Sequence, residues 1–211
     1  MAKDEALFDA IRNGNRKLTE EIVRKLVAEE ADVTEMLEAS MIPAMRDVGD
    51  RFSRNEAYVP ELLVAARAMQ TGLAVIEPLL TAAGHEPIAR VCIGTVKGDL
   101  HDIGKNLVAM MLKGAGYRVD DLGVDCGTDM FKRAVDEGAQ AVLCSALLTT
   151  TMPFMESIAE AFRDRPDVKV IIGGAPITAE FCDRIGADAF GSDANDAVKI
   201  LDPMFAESPA S

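Results

Sequence analysis

The spacing of apolar residues changes once along this 211-residue chain, near Gly84, and that change limits what it can fold into. Upstream, from Glu5 to about Ala83, apolar side chains recur at helical intervals. They run Leu18, Ile22, Leu26, then Leu37, Met41, Met45, Val48, Phe52, then Leu62, Ala66, Met69, Leu73, Ile76, Leu80. This half reads as a small helical bundle. Asn13-Gly14-Asn15 separates the first helix from the second, Pro43 is expected to start or kink the third, and Pro60 suits the first turn of the fourth. Short loops make neighbouring helices antiparallel.

Gly84-His85-Glu86-Pro87 reads as a linker, after which short β-rich runs alternate with helical segments. Strands are expected at Arg90 to Val96, Tyr117 to Leu122, Gln140 to Ser145, Val168 to Ile172 and Ala187 to Phe190. Helices are expected near 104–115, 128–138, 152–164, 177–185 and 195–202. Such alternation implies parallel strands, right-handed crossovers and helices on both faces. The expected class is α/β: a helical bundle over 1–86, then a flavodoxin-like (Rossmann-like) five-stranded parallel sheet, order 2-1-3-4-5, over 87–211. In such a sheet ligands bind beyond the carboxyl ends of the strands, where the order reverses between strands 1 and 3.

Composition narrows the function. A net charge of −13, no Trp and no Lys/Arg cluster argue against a nucleic-acid surface, which needs concentrated positive charge. Cys92, Cys126, Cys144 and Cys182 include no CxxC pair, so neither a zinc site nor a disulfide framework is expected. The first residues lack a signal-peptide apolar block, and no run is expected to reach the length of a membrane span. The expectation is a soluble, cytoplasmic protein.

Strand 1 leads into Lys97-Gly98-Asp99-Leu100-His101-Asp102-Ile103-Gly104-Lys105-Asn106. A histidine in a polar loop is more often a surface cap than a ligand. Its place at the expected crevice changes that balance: Asp99, two residues before, can accept the Nδ1 proton and leave Nε2 free for a metal. Other glycine-rich explanations fail on spacing. Gly98 and Gly104 enclose five residues where a Walker loop has four, and Lys105 is followed by Asn106 rather than Ser or Thr. Gly114-Ala115-Gly116 lacks the third glycine of a dinucleotide fingerprint and suits a helix C-cap.

Asp99-x-His101-x-x-Gly104, Ser145-x-Leu147 after strand 3 and Gly173-Gly174 after strand 4 together resemble the three-part signature of cobalamin-binding domains of the methionine synthase type. In the bundle, Val48-Gly49-Asp50-Arg51-Phe52 and Tyr58-Val59-Pro60 resemble the helical cap of those proteins. The resemblance covers nearly the whole chain, and its length is similar to that of stand-alone corrinoid proteins of methylamine, methanol, glycine betaine and methyl-ether methyltransferase systems. Two departures stand out: Val59 is smaller than the expected Leu, and Asp125-Cys126-Gly127 replaces a more usual Val-Pro-like helix entry.

The resemblance implies a cobalamin or related corrinoid held base-off, with His101 as the lower axial cobalt ligand. It implies Asp99 as the group that tunes His101 and Thr151 as the third member of a relay. Gly98, Asp102, Ile103 and Gly104 would line the cofactor beside them. Ser145 and Thr149 would supply hydroxyls to the tail slot, Leu147 would pack there, and Gly173 and Gly174 would allow close backbone approach. Phe52 and Val59 would shield the upper face, although periodicity alone makes them bundle core; Met41, Met45 and Met69 read as core fillers. The implied function is a methyl carrier serving a substrate-specific methyltransferase, an acceptor methyltransferase and a reductive activation protein, and so a subunit rather than a complete enzyme. Alternatives are a cobalamin-binding sensor, the small subunit of an adenosylcobalamin-dependent isomerase and, last, a phosphoacceptor receiver. The receiver needs an Asp where strand 3 ends at Ser145.

Overall fold

The computed structural model describes residues 3–205, so residues 1–2 and 206–211 of the two expected domains lie outside the described residues. Apart from residues 114–116, the chain divides into two compact units, one up to Pro87 and one from Ile88.

The first unit is helical: α1 (Glu5–Arg12), α2 (Arg16–Ala28), α3 (Val33–Met36), a π-helical turn (Leu37–Met41), α4 (Ile42–Ser53) and α5 (Val59–Ala82). Polar caps set the starts, since the first amides of a helix have no partner within it. Asp4 accepts from Leu7 N–H, Asn15 from Leu18 N–H, and Asp32 from Thr34 and Glu35 N–H. The π turn answers the expectation for Pro43. A proline ring collides with the carbonyl four residues back, and here the backbone widens just upstream, with Ile42 N–H donating to Leu37 C=O five residues back.

Met41, Met45 and Met69 are fully buried, with Leu37, Val48, Leu62 and Ile76. The stripe Leu18, Ile22, Leu26 is not the buried face of α2: Leu18 is 39% exposed, and Thr19 and Val23 are buried instead. The reason is close packing on α5. A Cβ on Gly72 would lie within 3.4 Å of the methyl groups of both Thr19 and Val23 and nearer still to Met41, so small side chains are what fit there. Helix α5 also corrects the expectation about spans. Its 24 residues contain a window of mean hydropathy 1.3, long and apolar enough to cross a membrane. In this structure its Leu62, Ala65, Ala66, Met69, Gly72, Ile76 and Leu80 are buried in the unit, and α2 packs along it.

The second unit alternates β1 (Arg90–Val96), α6 (Ile103–Gly114), β2 (Arg118–Cys126), α7 (Thr128–Asp136), β3 (Ala141–Ser145), α8 (Pro153–Phe162), β4 (Lys169–Gly173), α9 (Ala179–Ile185), β5 (Ala189–Gly191) and α10 (Asp196–Phe205). All pairings are parallel and the order is β2-β1-β3-β4-β5, as the alternation requires. Cys92, Val142, Cys144, Val170 and Ile172 point into a core shared with Phe131, Met155 and Phe181, while the alternate residues Val91, Ile93, Ala141, Leu143 and Ile171 are buried too. Both faces are thus covered, the condition for a parallel sheet. Thr95, Ser145, Gly173 and Gly191 lie in one row across the sheet and bring four strand ends to one edge. Strand β2 runs four residues past its expected end at Leu122, because two irregularities let it continue beyond Gly123.

All four thiols are buried and free. Burial pushes Cys92 up to about 12, Cys144 well above the usual thiol value, and Cys126 and Cys182 upward. A three-unit rise leaves roughly a thousandth of the thiolate. Cys92 and Cys144 of the folded protein are expected to react with a thiol reagent at pH 8 at least about 100-fold more slowly than after unfolding in guanidinium, when four thiols titrate. The same shift makes stability fall as pH rises from about 8.5, where unfolded thiols ionise, toward the raised folded values.

Candidate functional site

The loop after β1 turns at Gly98, whose φ of +80° suits glycine, and Asp99 N–H donates back to Val96 C=O at 3.1 Å. These bonds fold Asp99 under the loop, where its side chain is fully buried. The carboxylate is then a hub. Oδ1 accepts from the His101 backbone at 3.1 Å and lies 2.6 Å from His101 Nδ1. Oδ2 accepts from Leu147 N–H at 2.8 Å, Leu148 N–H at 3.3 Å and the Thr151 hydroxyl at 3.0 Å. That hydroxyl proton also faces Leu148 C=O at 2.8 Å. Burial pushes the Asp99 carboxyl up, but the donors from Leu147, His101 and Thr151 outweigh it and hold the group well below the usual carboxylate range.

An ionised carboxylate at Nδ1 makes that nitrogen the donor and leaves the Nε2 lone pair free. Nε2 has no hydrogen bond among the described residues, and the His101 side chain is 52% exposed. The backbone beneath is held by Thr95, whose hydroxyl donates to His101 C=O at 2.7 Å. Asp99, His101 and Thr151 are therefore brought together from the ends of β1 and β3, which is where the order of the sheet reverses.

The surroundings present an apolar surface. Within the second unit the exposed large apolar residues are Leu100, Ile103, Val124, Met130, Leu147, Leu148 and Phe154, and all lie in or just after the carboxyl ends of β1, β2 and β3. Leu100 and Ile103 are 72% and 76% exposed, a concentration that marks a binding surface rather than scattered apolar residues. A Cβ on Gly104 would meet nothing within 4 Å, so the fold does not demand that glycine and the surface beside His101 stays bare. No group of three or more His, Cys, Asp or Glu among the described residues could hold an ion. His101 suits a metal that arrives with its other ligands in place, as in a macrocycle with one open axial position.

The remaining candidates divide. Asp102 is exposed and accepts from the Asn106 side chain at 3.1 Å in the first turn of α6. Ser145 is half-buried at the end of β3 and Thr149 is exposed; neither hydroxyl bonds to protein among the described residues. Leu147 keeps an exposed side chain and contributes its N–H to Asp99, a role its residue type does not signal. Gly174, at φ +129°, is required by the protein itself: a Cβ there would stand 1.9 Å from Ala146 O. At Gly173 it would lie 3.3 Å from Gly191 O. Phe52 and Val59 are half-buried in the other unit, at the end of α4 and the start of α5. Sequence reasoning missed Asp125, Asp121 and Lys105, which join β2 to the His101 loop. Asp125 was visible as a departure from the resemblance, whereas pairing across 16 residues, as in Lys105 and Asp121, leaves no local pattern.

Known proteins resemble the chain over most of its length. The profile of the B12 binding domain matches residues 89–201, and a second profile described as a B12 binding domain matches residues 4–77. The trimethylamine corrinoid protein of Methanosarcina barkeri is 40% identical over 196 residues, 90% of each chain, and a corrinoid protein of Desulfitobacterium hafniense is 35% identical over 205 residues, 94% of this chain and 95% of that one. A crystal structure of a cobalamin-binding protein from Desulfitobacterium hafniense superposes with a TM-score of 0.78 at 33% identity, covering 94% of this chain and 97% of that one. The methanol:cobalamin methyltransferase complex MtaBC from Methanosarcina barkeri gives 0.86 at 25% identity, covering 98% and 81%. With family models matched across both units and relatives of 35–40% identity over nine-tenths of the chain or more, this chain belongs to the B12-binding corrinoid proteins.

Proposed function

We propose that the chain is a corrinoid methyl carrier, loaded by a substrate-specific methyltransferase, unloaded by an acceptor methyltransferase and returned to its active state by a reductive activation protein. The observation that carries this reading is the outward Nε2 of His101, fixed by Asp99 at 2.6 Å on the other ring nitrogen. The relatives named for trimethylamine and dimethylamine favour a methylamine-class donor and favour the carrier over the sensor or the isomerase subunit. When bound, the corrinoid's cobalt supplies the centre on which the methyl group travels. The protein's share is different. His101 Nε2 offers a neutral nitrogen donor whose basicity Asp99 raises by accepting the Nδ1 proton. Thr151, Leu147 and Leu148 keep that carboxylate ionised. The free hydroxyls of Ser145 and Thr149 are placed to hold the displaced base of the cofactor, and Leu100 and Ile103 to exclude water around His101.

Anaerobic loading with hydroxocobalamin, desalting and cobalt quantitation test this, on the wild-type protein and on His101→Gly. The wild type is expected to retain about one cobalt per chain. His101→Gly is expected to keep cobalt within about threefold, to lose nitrogen coupling in the cobalt(II) electron paramagnetic resonance spectrum, and to slow methyl transfer roughly 10- to 100-fold. A wild-type protein that emerges colourless, or equal transfer rates in the two proteins, refutes the role of His101.

A further inference from the structure

We infer that Asp125 is a positioning residue that fixes the reach of His101, an inference that rests on the reading of His101 as the axial ligand. The pairing of β2 with β1 is irregular. Ile93 pairs with Asp121, Gly94 with Gly123 and Val96 with Cys126, so β2 carries two more residues than β1 over the same stretch. Such extra residues leave the ladder, bend the strand and re-aim side chains. Here they put Asp125 in the left-handed region, φ +55°, which few residues other than glycine adopt.

From that conformation Asp125 grips Asp99 on both sides. Its Oδ1 accepts from Gly98 N–H at 2.7 Å, and its own N–H donates to Asp99 C=O at 3.0 Å. The Lys97–Gly98 and Asp99–Leu100 peptide groups are thus tied to β2, while the Asp99 carboxylate is tied to the segment after β3. With Asp99 held from two strands, the 2.6 Å contact to Nδ1 sets where Nε2 stands. The bulged segment is anchored in turn. Asp121 accepts from Gly123 N–H at 2.9 Å and from the ammonium of Lys105 at 2.6 Å, and the Lys105 side chain is only 2% exposed in the first turn of α6. The loop bearing His101 is therefore tied to β2 near its start through Asp125 and just past its end through Asp121.

Two substitutions separate the hydrogen bond from the backbone conformation. Asp125→Gly keeps positive φ available and deletes the acceptor, whereas Asp125→Asn keeps an acceptor oxygen in a residue that tolerates positive φ. In the cobalamin-free protein, exchange of the Gly98 amide is expected to rise about tenfold in Asp125→Gly and to stay within about twofold in Asp125→Asn. In protein loaded with cobalt(II) cobalamin, the ratio of imidazole-coordinated to uncoordinated cobalt is expected to fall about tenfold in Asp125→Gly alone. An unchanged ratio in Asp125→Gly, or an equal loss in Asp125→Asn, overturns the inference while leaving His101 as ligand. Absence of imidazole coupling in the wild type overturns the axial reading, and this inference with it.

Discussion

Asp99→Ala is expected to lower the unfolding free energy of the α/β unit by about 3–5 kcal/mol, measured by urea denaturation of the cobalamin-free protein. The size reflects the groups that the carboxylate satisfies. Thr151 can turn its hydroxyl to Leu148 C=O and the exposed His101 ring can bond to water, so those two donors recover. The N–H groups of Leu147, Leu148 and His101 are partly buried and lose their acceptor together, and a donor left without one costs up to about 1–3 kcal/mol. Asp99→Asn separates stability from function. Its amide oxygen is expected to stay with the three donors on the Oδ2 side, which turns the NH2 group toward His101 Nδ1. Nδ1 then becomes an acceptor and the proton moves to Nε2, where it blocks metal binding. Nitrogen-15 chemical shifts of His101 are expected to report that exchange of tautomers; the same tautomer in wild type and Asp99→Asn contradicts the hub.

Gly174→Ala is expected to destabilise the same unit by about 3–5 kcal/mol, whereas Gly173→Ala costs about 1 kcal/mol or less. The two glycines are adjacent, yet their surroundings differ. At Gly174 the added carbon meets a backbone oxygen at 1.9 Å with φ at +129°, so no rotamer relieves the collision. The segment after β3 must move instead, and it carries Ala146 N–H, which donates to Gly173 C=O at 3.2 Å, and Leu147 N–H, which serves Asp99. At Gly173 the nearest atom is Gly191 O at 3.3 Å, a distance that a few tenths of an ångström restores. A thermal melt is expected to show Gly174→Ala unfolding roughly 10 °C below wild type. Equal melting of the two variants is the outcome that contradicts this account. The destabilised protein is also expected to hold His101 less firmly, because the strut through Leu147 shifts with Ala146.

The architecture was legible because each of its signals is local. Apolar spacing announces helices, turn residues end them, and strand-helix alternation leaves few topologies open. Signals that depend on a partner were misread. Leu18 sits on an apolar stripe, yet α2 buries Thr19 and Val23 because Gly72 of α5 admits their small side chains. Strand β2 reads as ending at Leu122, while irregular pairing with β1 carries it on to Cys126. The span expectation overlooked α5, where Arg67 and Glu77 interrupt a segment that is otherwise apolar enough.

The sequence alone determined the sheet, its order and the loop that bears His101, for these depend on residue types at short spacing. Asp99, His101 and Gly104 are a motif within six residues, and the family resemblance points to Ser145, Thr151 and Gly174 at or beyond the ends of strands that periodicity locates. Only the tertiary structure decided how that loop is held. The donors of Leu147 and Leu148 are backbone groups that every residue has, and their use depends on β3 lying beside β1. Asp125 acts through a bulge created by pairing between strands, and Lys105 through a carboxylate 16 residues away. Hydrogen bonds between segments distant in sequence depend on position in space, and position in space exists only once the chain has folded.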